Sequence, residues 1–141
     1  MPPRETIRGG VDHLNRPFVR LGVTGFAEPV TAFIDTGFNG SLIVDEYKAQ
    51  QMGFQVTKIH SITALLASQR SETFLLCRGR INWLGDEPFI TALVISETET
   101  QRLERRRRKR NEEVVLGVEL LINCKLEVDF VRRSVSITRL S

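Results

Sequence analysis

The stretch around which the chain is organised is AFIDTGFNGSLIV, residues 32–44. It begins as an apolar run typical of a buried strand, passes through a polar turn with two glycines, and returns to apolar residues. Asp35 stands where the buried strand ends, and burial penalises an ionisable carboxyl at such a place. Glycines in the turn let the backbone come close to a ligand or to another segment. We therefore interpret Asp35 as a functional residue, with an ordinary Asp-x-Gly turn after a strand as the alternative.

A second apolar element, EVVLGVELL over residues 113–121, lies near the C-terminus. Together the two elements resemble the retropepsin-like aspartic proteases, in which two apolar residues precede Asp-Thr-Gly and an apolar-apolar-Gly strand leads into a short helix. Predicted strands over Leu126–Phe130 and Ser134–Ile137 fit the closing strands of that family. The resemblance covers roughly residues 16–139 and is nearer to the short stand-alone bacterial relatives than to the viral enzymes, because a helix is predicted after the Asp35 loop.

Hydrophobic periodicity and turn residues predict mainly β structure. The helix formers over Asp45–Met52, with an acidic start and Gly53 at the end, predict one short helix. The resemblance implies a small closed acid-protease barrel with one or two short helices, active as a twofold dimer. We expect a loose arm over residues 1–15 and a single domain over residues 16–141. The other predicted strands are Pro17–Val23, Pro29–Ile34, Phe54–Ala64, Ser71–Ile81 and Pro88–Ile95.

The N-terminal sequence MPPRE is not followed by an apolar segment, so no signal peptide is predicted. No stretch approaches the continuous apolar length that spans a bilayer. We therefore expect a cytoplasmic protein that is not bound to a membrane, in which Cys77 and Cys124 are free thiols rather than a disulfide.

The net charge of +3 comes from one segment, because residues 105–110 are six consecutive basic residues. Without them the chain has 14 basic against 17 acidic residues, a net charge of −3. The run has no interleaved aromatic residues on which bases would stack. A solvated loop is therefore the preferred interpretation, and a nucleic-acid contact is the less favoured one.

Peptide hydrolysis by carboxyl groups needs two of them, because one takes a proton from water while the other protonates the carbonyl oxygen. Two carboxyls about 3 Å apart cannot both ionise, so the pair shares one proton. The chain has one Asp-Thr-Gly and is too short for two such lobes. The second carboxyl is therefore expected from a second copy at a twofold axis. No metal and no organic cofactor is required.

The resemblance also assigns roles to the residues after Asp35. Thr36 matches the threonine that braces the two loops across the dimer, and Gly37 matches the glycine against which the substrate backbone lies. Asn39 falls where viral enzymes often carry a substrate-binding aspartate, and its amide can still hydrogen-bond an extended peptide. Phe38 replaces a small residue and either narrows the adjacent subsite or packs in a core or interface.

The family closes a hairpin over the substrate, and the candidate for its turn is the segment 64–70. Bacterial relatives commonly have a glycine in this turn, whereas none occurs here between Gly53 and Gly79. An ordinary hairpin turn is the alternative interpretation of the segment. The residues expected to contact substrate there are Leu66, Ala67 and Ser68.

The sequence therefore favours an aspartic endopeptidase that acts on a peptide or protein substrate as a homodimer. Two other functions stay open. One is a dimeric module of the same fold that binds peptides without cleaving them, which the missing glycine favours. The other is a nucleic-acid-associated protein that uses the basic run 105–110.

Overall fold

The computed structural model describes residues 5–65, 71–95 and 114–140, with the backbone alone over 58–65 and 71–73. The described residues form ten strands, one α-helix and one turn of 3-10 helix, so the predicted mainly β fold is confirmed. In chain order the elements are β1 Thr6–Val11, β2 Pro17–Val23, β3 Val30–Ile34, β4 Leu42–Asp45, α1 Glu46–Gln51, β5 Gln55–Leu65, β6 Ser71–Asn82, β7 Phe89–Ile95, β8 Val114–Leu116, the 3-10 helix Val118–Leu121, β9 Cys124–Asp129 and β10 Ser134–Arg139.

Six of the described strands close into a barrel, as the sequence predicts. The sheet order runs β5-β6-β7-β4-β8-β3-β2-β1-β10-β9, and a further pairing of β6 with β2 closes the ring. That closing ladder is short, since it pairs Gly22 with Asn82 and Val23 with Ile81. β8 lies at the centre of the wall, parallel to β3 and antiparallel to β4.

The barrel wall is apolar on both faces. The interior cluster includes Leu21, Ala32, Val44 and Leu116, all of which are fully buried. A smaller set of apolar side chains, the outer cluster, packs separately. It consists of Phe38, Ile43, Phe74 and Leu93, with the partly buried Leu76 and Val115 against it. Burying one such side chain stabilises a fold by roughly 1.5–3 kcal/mol, so both faces contribute to stability.

The helix α1 begins and ends where the sequence predicts, within about a residue. The side chain of Asp45 caps its start, because the carboxylate Oδ1 accepts the backbone N–H of Lys48 at 2.8 Å. Glu46 places a second acidic group in the first turn, where the helix dipole favours negative charge. The chain leaves the helix through Gly53, whose φ of +74° is a conformation that glycine adopts without strain.

The N-terminal segment differs from the sequence prediction. Residues 1–15 are predicted as a loose arm, but Thr6–Val11 forms β1, which pairs with both β10 and β2. The physical reason lies at Gly9, where an added Cβ would stand 2.9 Å from the Cα of Val19. Gly9 therefore allows a close approach between strands, although glycine ordinarily indicates a turn or loop. The single domain over 16–141 stays a prediction.

Two predicted segments lie outside the described residues. They are residues 66–70 of the predicted hairpin turn, between β5 and β6, and the whole polar stretch from Ser96 to Asn111, which includes the basic run. Up to the turn the hairpin is described, with Leu65 paired to Ser71. In the described ranges no helix has the length and apolar character that a membrane crossing requires.

Candidate active site

Asp35 follows directly on the last residue of β3, and its position depends on β8. The backbone N–H of Asp35 donates to the carbonyl oxygen of Leu116 at 2.9 Å. This bond continues the pairing of Ile34 with Leu116 one residue beyond β3. Since side chains alternate along a strand, Asp35 points to the same face as Phe33.

The residues after Asp35 form a turn that holds its carboxyl group. The carboxyl oxygen Oδ1 accepts the backbone N–H of Gly37 at 2.9 Å, and the carbonyl oxygen of Asp35 accepts the N–H of Phe38 at 3.1 Å. Such an Asx-type turn fixes a carboxyl without using another side chain. Asp35 is half-buried, whereas Thr36 and Gly37 are exposed. The carboxyl group is thus oriented and reachable.

The start of the 3-10 helix is bound to the same turn by three backbone hydrogen bonds. The N–H of Gly117 donates to Ser41 O at 2.8 Å, that of Val118 to Phe38 O at 2.8 Å, and that of Glu119 to Gly40 O at 3.2 Å. The turn after Asp35 and the segment after β8 therefore form one hydrogen-bonded unit.

Gly117 is required by this contact. An added Cβ would stand 2.7 Å from the carbonyl oxygen of Phe38 and closer still to that of Gly40. Its φ of −106° is open to any residue, so the requirement is for space and not for backbone conformation. Gly117 thus allows the segment after β8 to approach the turn after Asp35 closely.

The structure separates the two candidate binding residues that follow Gly37. Asn39 is exposed, so its amide can reach a ligand. Phe38 is only 2% exposed and packs in the outer cluster. Of the two interpretations of Phe38, the structure gives it a packing role within this chain. Its contact with a substrate stays a prediction, as does the role of Leu66, Ala67 and Ser68, which lie outside the described residues.

An arginine near the site escapes the sequence analysis. The guanidinium of Arg16 lies over the ring of Phe33, 4.1 Å from the centroid, and Arg16 Nε donates to Asp12 Oδ2 at 2.9 Å. Phe18 packs edge-on against Phe33 with centroids 6.2 Å apart. Alternation along β3 signals that Phe33 shares a face with Asp35, but nothing in the sequence indicates that Arg16 covers it.

The carboxyl of Asp12 anchors this arginine. Burial acts to raise the pKa of Asp12, but hydrogen bonds from the backbone and guanidinium of Arg16 and from the N–H of Leu14 leave that pKa below its usual value. Hydrogen bonds to the charged form stabilise it. Arg16 therefore presents its guanidinium beside Phe33 on a fixed support.

The described residues hold no group of three or more His, Cys, Asp or Glu side chains placed to bind a metal ion. The ionisable group that the fold presents at the end of β3 is the Asp35 carboxyl.

Comparison of the structure with solved structures identifies the architecture. The chain resembles the crystal structure of a retropepsin-like aspartic protease from Rickettsia conorii, with a TM-score of 0.60 over 96% of this chain and 92% of that one. This chain has a retropepsin-like fold. The sequence identity over that match is 15%, so the similarity is one of fold. No family model matches the sequence, and no curated protein matches it.

Asp35 stands at the end of β3, between a barrel strand and a hydrogen-bonded turn. The site in one chain holds a single Asp-Thr-Gly.

Proposed function

We propose that this protein is an aspartic endopeptidase that acts as a homodimer on a peptide or protein substrate. The observation that carries the proposal is the half-buried Asp35 carboxyl, oriented by the N–H of Gly37 at the end of β3 in a retropepsin-like barrel. A lone carboxyl cannot act as general acid and general base in the same step. The second carboxyl is Asp35 of the partner subunit.

In the proposed reaction the two carboxyls share one proton, because like charges at close range do not both ionise. The ionised Asp35 takes a proton from water, and the water oxygen attacks the peptide carbonyl carbon. The protonated carboxyl donates its proton to the carbonyl oxygen. The carboxyl that now holds the proton gives it to the amide nitrogen, while the other carboxyl removes a proton from one hydroxyl of the tetrahedral intermediate. The C–N bond breaks, the acid and amine products form, and the pair again holds one proton. No metal or cofactor takes part.

The neighbouring residues receive supporting roles in this proposal. The exposed Thr36 braces the loops across the dimer, and the exposed backbone of Gly37 lies against the substrate. The amide of Asn39 binds an extended peptide through hydrogen bonds. Extended peptides are recognised through backbone hydrogen bonds, with pockets for alternate side chains. A cytoplasmic location stays a prediction.

A second candidate function is a peptide-binding module of the same fold that does not hydrolyse its ligand. One feature favours it, namely the absence of glycine between Gly53 and Gly79, the part of the chain that would cover a substrate. Turnover, and not binding, distinguishes the two candidates.

Subunit mixing tests the proposal most directly. Wild-type protein is mixed with increasing amounts of Asp35→Asn at fixed wild-type concentration, and hydrolysis of a peptide library is followed by mass spectrometry. If each active site needs two Asp35 carboxyls, activity per wild-type chain falls as inactive subunits are added, to about half in an equal, randomly exchanged mixture. Asp86→Asn, at an exposed acidic residue, is the matched control, and adding it should not lower the activity per wild-type chain.

Two results would contradict the proposal. One is activity per wild-type chain that stays constant at every ratio, with subunit exchange verified by native mass spectrometry. The other is a folded wild-type dimer that binds peptides and leaves the whole library intact from acidic to neutral pH, which would establish the binding module instead.

A further inference from the structure

Arg16 and Asp35 lie at the same end of two paired strands, on one face of the sheet. β2 and β3 run antiparallel, with Phe18 paired to Phe33. Two residues further along that register, Arg16 comes opposite Asp35, just past the end of the ladder. The Arg16 guanidinium lies 4.1 Å from the centroid of the Phe33 ring, which shares its face with Asp35. A cation and the candidate catalytic carboxyl therefore border the same stretch of surface.

Arg16 is the more accessible member of its ion pair with Asp12. The side chain of Arg16 is 38% exposed, whereas that of Asp12 is 15% exposed. Asp12 Oδ1 accepts the backbone N–H groups of Leu14 and Arg16 at 3.0 and 2.8 Å, so the carboxylate is directed into its own turn. A guanidinium carries five N–H donors, and the bond to Asp12 Oδ2 uses the one on Nε. A ligand that approaches this pair therefore meets the positive charge first.

Arg133, in the turn after β9, holds the turn that carries Asp12 and Arg16. Its Nη2 donates to the carbonyl oxygens of Val11, at 3.0 Å, and of Asp12. Its Nη1 donates to Asn15 Oδ1 at 3.2 Å. These bonds join the turn between β9 and β10 to the turn between β1 and β2. One arginine thus fixes the backbone on both sides of the ion pair.

The two joined turns also share an unusual backbone conformation. Asn15 has a φ of +61° and Arg133 a φ of +55°, both in the left-handed region. Residues other than glycine and asparagine seldom adopt it, and they keep it where surrounding contacts hold them. Arg133 is held by its bonds to the turn between β1 and β2, so each turn stabilises the shape of the other.

We propose that Arg16 binds an acidic side chain of the substrate beside the cleaved bond, and that Arg133 is a positioning residue that acts through the turn carrying Asp12. The inference rests on the proposed function, because it places a peptide across Asp35. Arginine binds carboxylates through paired N–H donors, and the ring of Phe33 supports the guanidinium from below. Without this cation, the negative charge of the Asp35 pair would repel an acidic side chain.

Cleavage of matched peptides tests the role of Arg16. The peptides differ only in Glu, Gln or Lys at one position, which is moved through the two residues on each side of the cleaved bond. At one of these positions wild type should have a kcat/KM about tenfold higher for Glu than for Gln, and lower still for Lys. Arg16→Gln should remove or reverse the preference for Glu. Arg20→Gln removes an equal charge further along the same strand and should match wild type.

Variants of Arg133 test its positioning role. Arg133→Ala should raise KM for the Glu peptide about three- to tenfold while kcat and the KM of the Gln peptide change less than about twofold. A general loss of folded protein would instead lower the apparent kcat for both peptides. Arg133→Lys keeps the charge without the planar fork and should recover only part of the preference. Arg132→Ala, at a side chain that is 85% exposed, is the matched control.

A binding measurement keeps the inference separate from turnover. In the Asp35→Asn background, fluorescent Glu and Gln peptides are titrated by fluorescence anisotropy. Affinity should be about tenfold higher for the Glu peptide, and adding Arg16→Gln should remove the difference. If Arg133→Ala does not fold, Asp12→Asn takes its place in both assays, because it weakens the hold on Arg16 and retains an acceptor for the backbone N–H groups.

Different results overturn the inference and the proposed function. Equal cleavage of the Glu and Gln peptides at every scanned position, or an unchanged preference in Arg16→Gln, overturns the inference and leaves the protease intact. A full preference in Arg133→Ala overturns the positioning role. Folded wild type that cleaves no peptide, yet binds the Glu peptide more tightly through Arg16, overturns the protease and supports recognition of acidic peptides by a binding module.

Discussion

Asp35 and Leu116 are joined by a hydrogen bond of 2.9 Å from the backbone N–H of the first to the carbonyl oxygen of the second. The bond connects two segments that are far apart in the chain. It means that the carboxyl is positioned by β8 as much as by its own strand. A change at β8 or at the residue after it should therefore affect the site without touching the carboxyl.

We expect Asp35→Asn to abolish hydrolysis while leaving stability almost unchanged. The asparagine side chain keeps an oxygen that can accept the N–H of Gly37, so the turn is preserved. It cannot exchange a proton with water, and loss of general acid–base catalysis lowers rates by about 10²–10⁴-fold. Peptide hydrolysis and urea unfolding should be measured together. A rate within twofold of wild type would show that Asp35 is not catalytic.

Gly117→Ala should destabilise the fold by about 1–3 kcal/mol, because the new methyl group meets two backbone carbonyl oxygens as well as the Phe38 ring. Gly25→Ala is the informative comparison. Gly25 has a φ of +81° and open space around it, so its substitution measures backbone strain alone, about 1–2 kcal/mol. Urea unfolding gives both values. If activity survives fully in a destabilised Gly117→Ala, the dependence of the site on β8 is refuted.

Asp45→Ala should lower the free energy of unfolding by about 0.5–2 kcal/mol, as expected for loss of a helix N-cap. The lost interaction is the bond from the N–H of Lys48 to Oδ1. Asp45→Asn retains an acceptor oxygen and should lose less than the alanine variant. Equal losses in the two variants would mean that the charge of Asp45, and not the cap, is what stabilises α1.

The thiol of Cys77 should make the fold sensitive to alkaline pH. Burial raises the pKa of Cys77 to about 12, although a hydrogen bond with the backbone of Ala92 acts in the opposite direction. The folded state therefore holds the proton longer than the unfolded state does. This contribution is complete below about pH 9 and is lost as the pH rises towards 12, by at most about 1.4 kcal/mol per pH unit.

Cys77→Ala isolates that contribution, because other groups also titrate in this range. The difference in unfolding free energy between wild type and variant should narrow steadily from pH 9 to pH 11. The same measurement on Cys124→Ala is a comparison. Burial raises the pKa of Cys124 too, although the positive charge of Arg139 acts to lower it. If the difference between wild type and Cys77→Ala is the same at pH 7 and pH 11, the prediction is wrong.

Much of the barrel could be predicted from the sequence because its signals are local. The apolar run before Asp35, the acidic start of α1 and the strands over 17–23 and 89–95 follow from periodicity and turn residues. β1 could not be predicted in this way. Two consecutive glycines are typical of a loop. The reason for glycine at position 9 is visible only in the folded chain, where an added Cβ would stand 2.9 Å from the Cα of Val19 in β2.

The candidate site also combines features that the sequence predicts with features that depend on contacts between strands. The placement of Asp35 at the end of an apolar strand, before a turn with glycines, follows from local sequence. The burial of Phe38 and the placement of Arg16 over Phe33 depend on which strands become neighbours. A sequence read along the chain carries no direct signal of such contacts.

The ladder that closes the barrel has one more consequence. It pairs only two residues of β2 with β6, supplemented by the N–H of Thr24, which donates to Arg80 O at 3.2 Å. If the β2–β6 pairs break, all other strand pairs of the ten-stranded sheet can remain, because the strand order from β5 to β9 does not depend on them. The ladder between β4 and β8 also pairs two residues, so the ring contains two short ladders among the described strands. We expect that local opening at either short ladder would leave every strand paired with its other neighbour, so that the ring could close again in the same register.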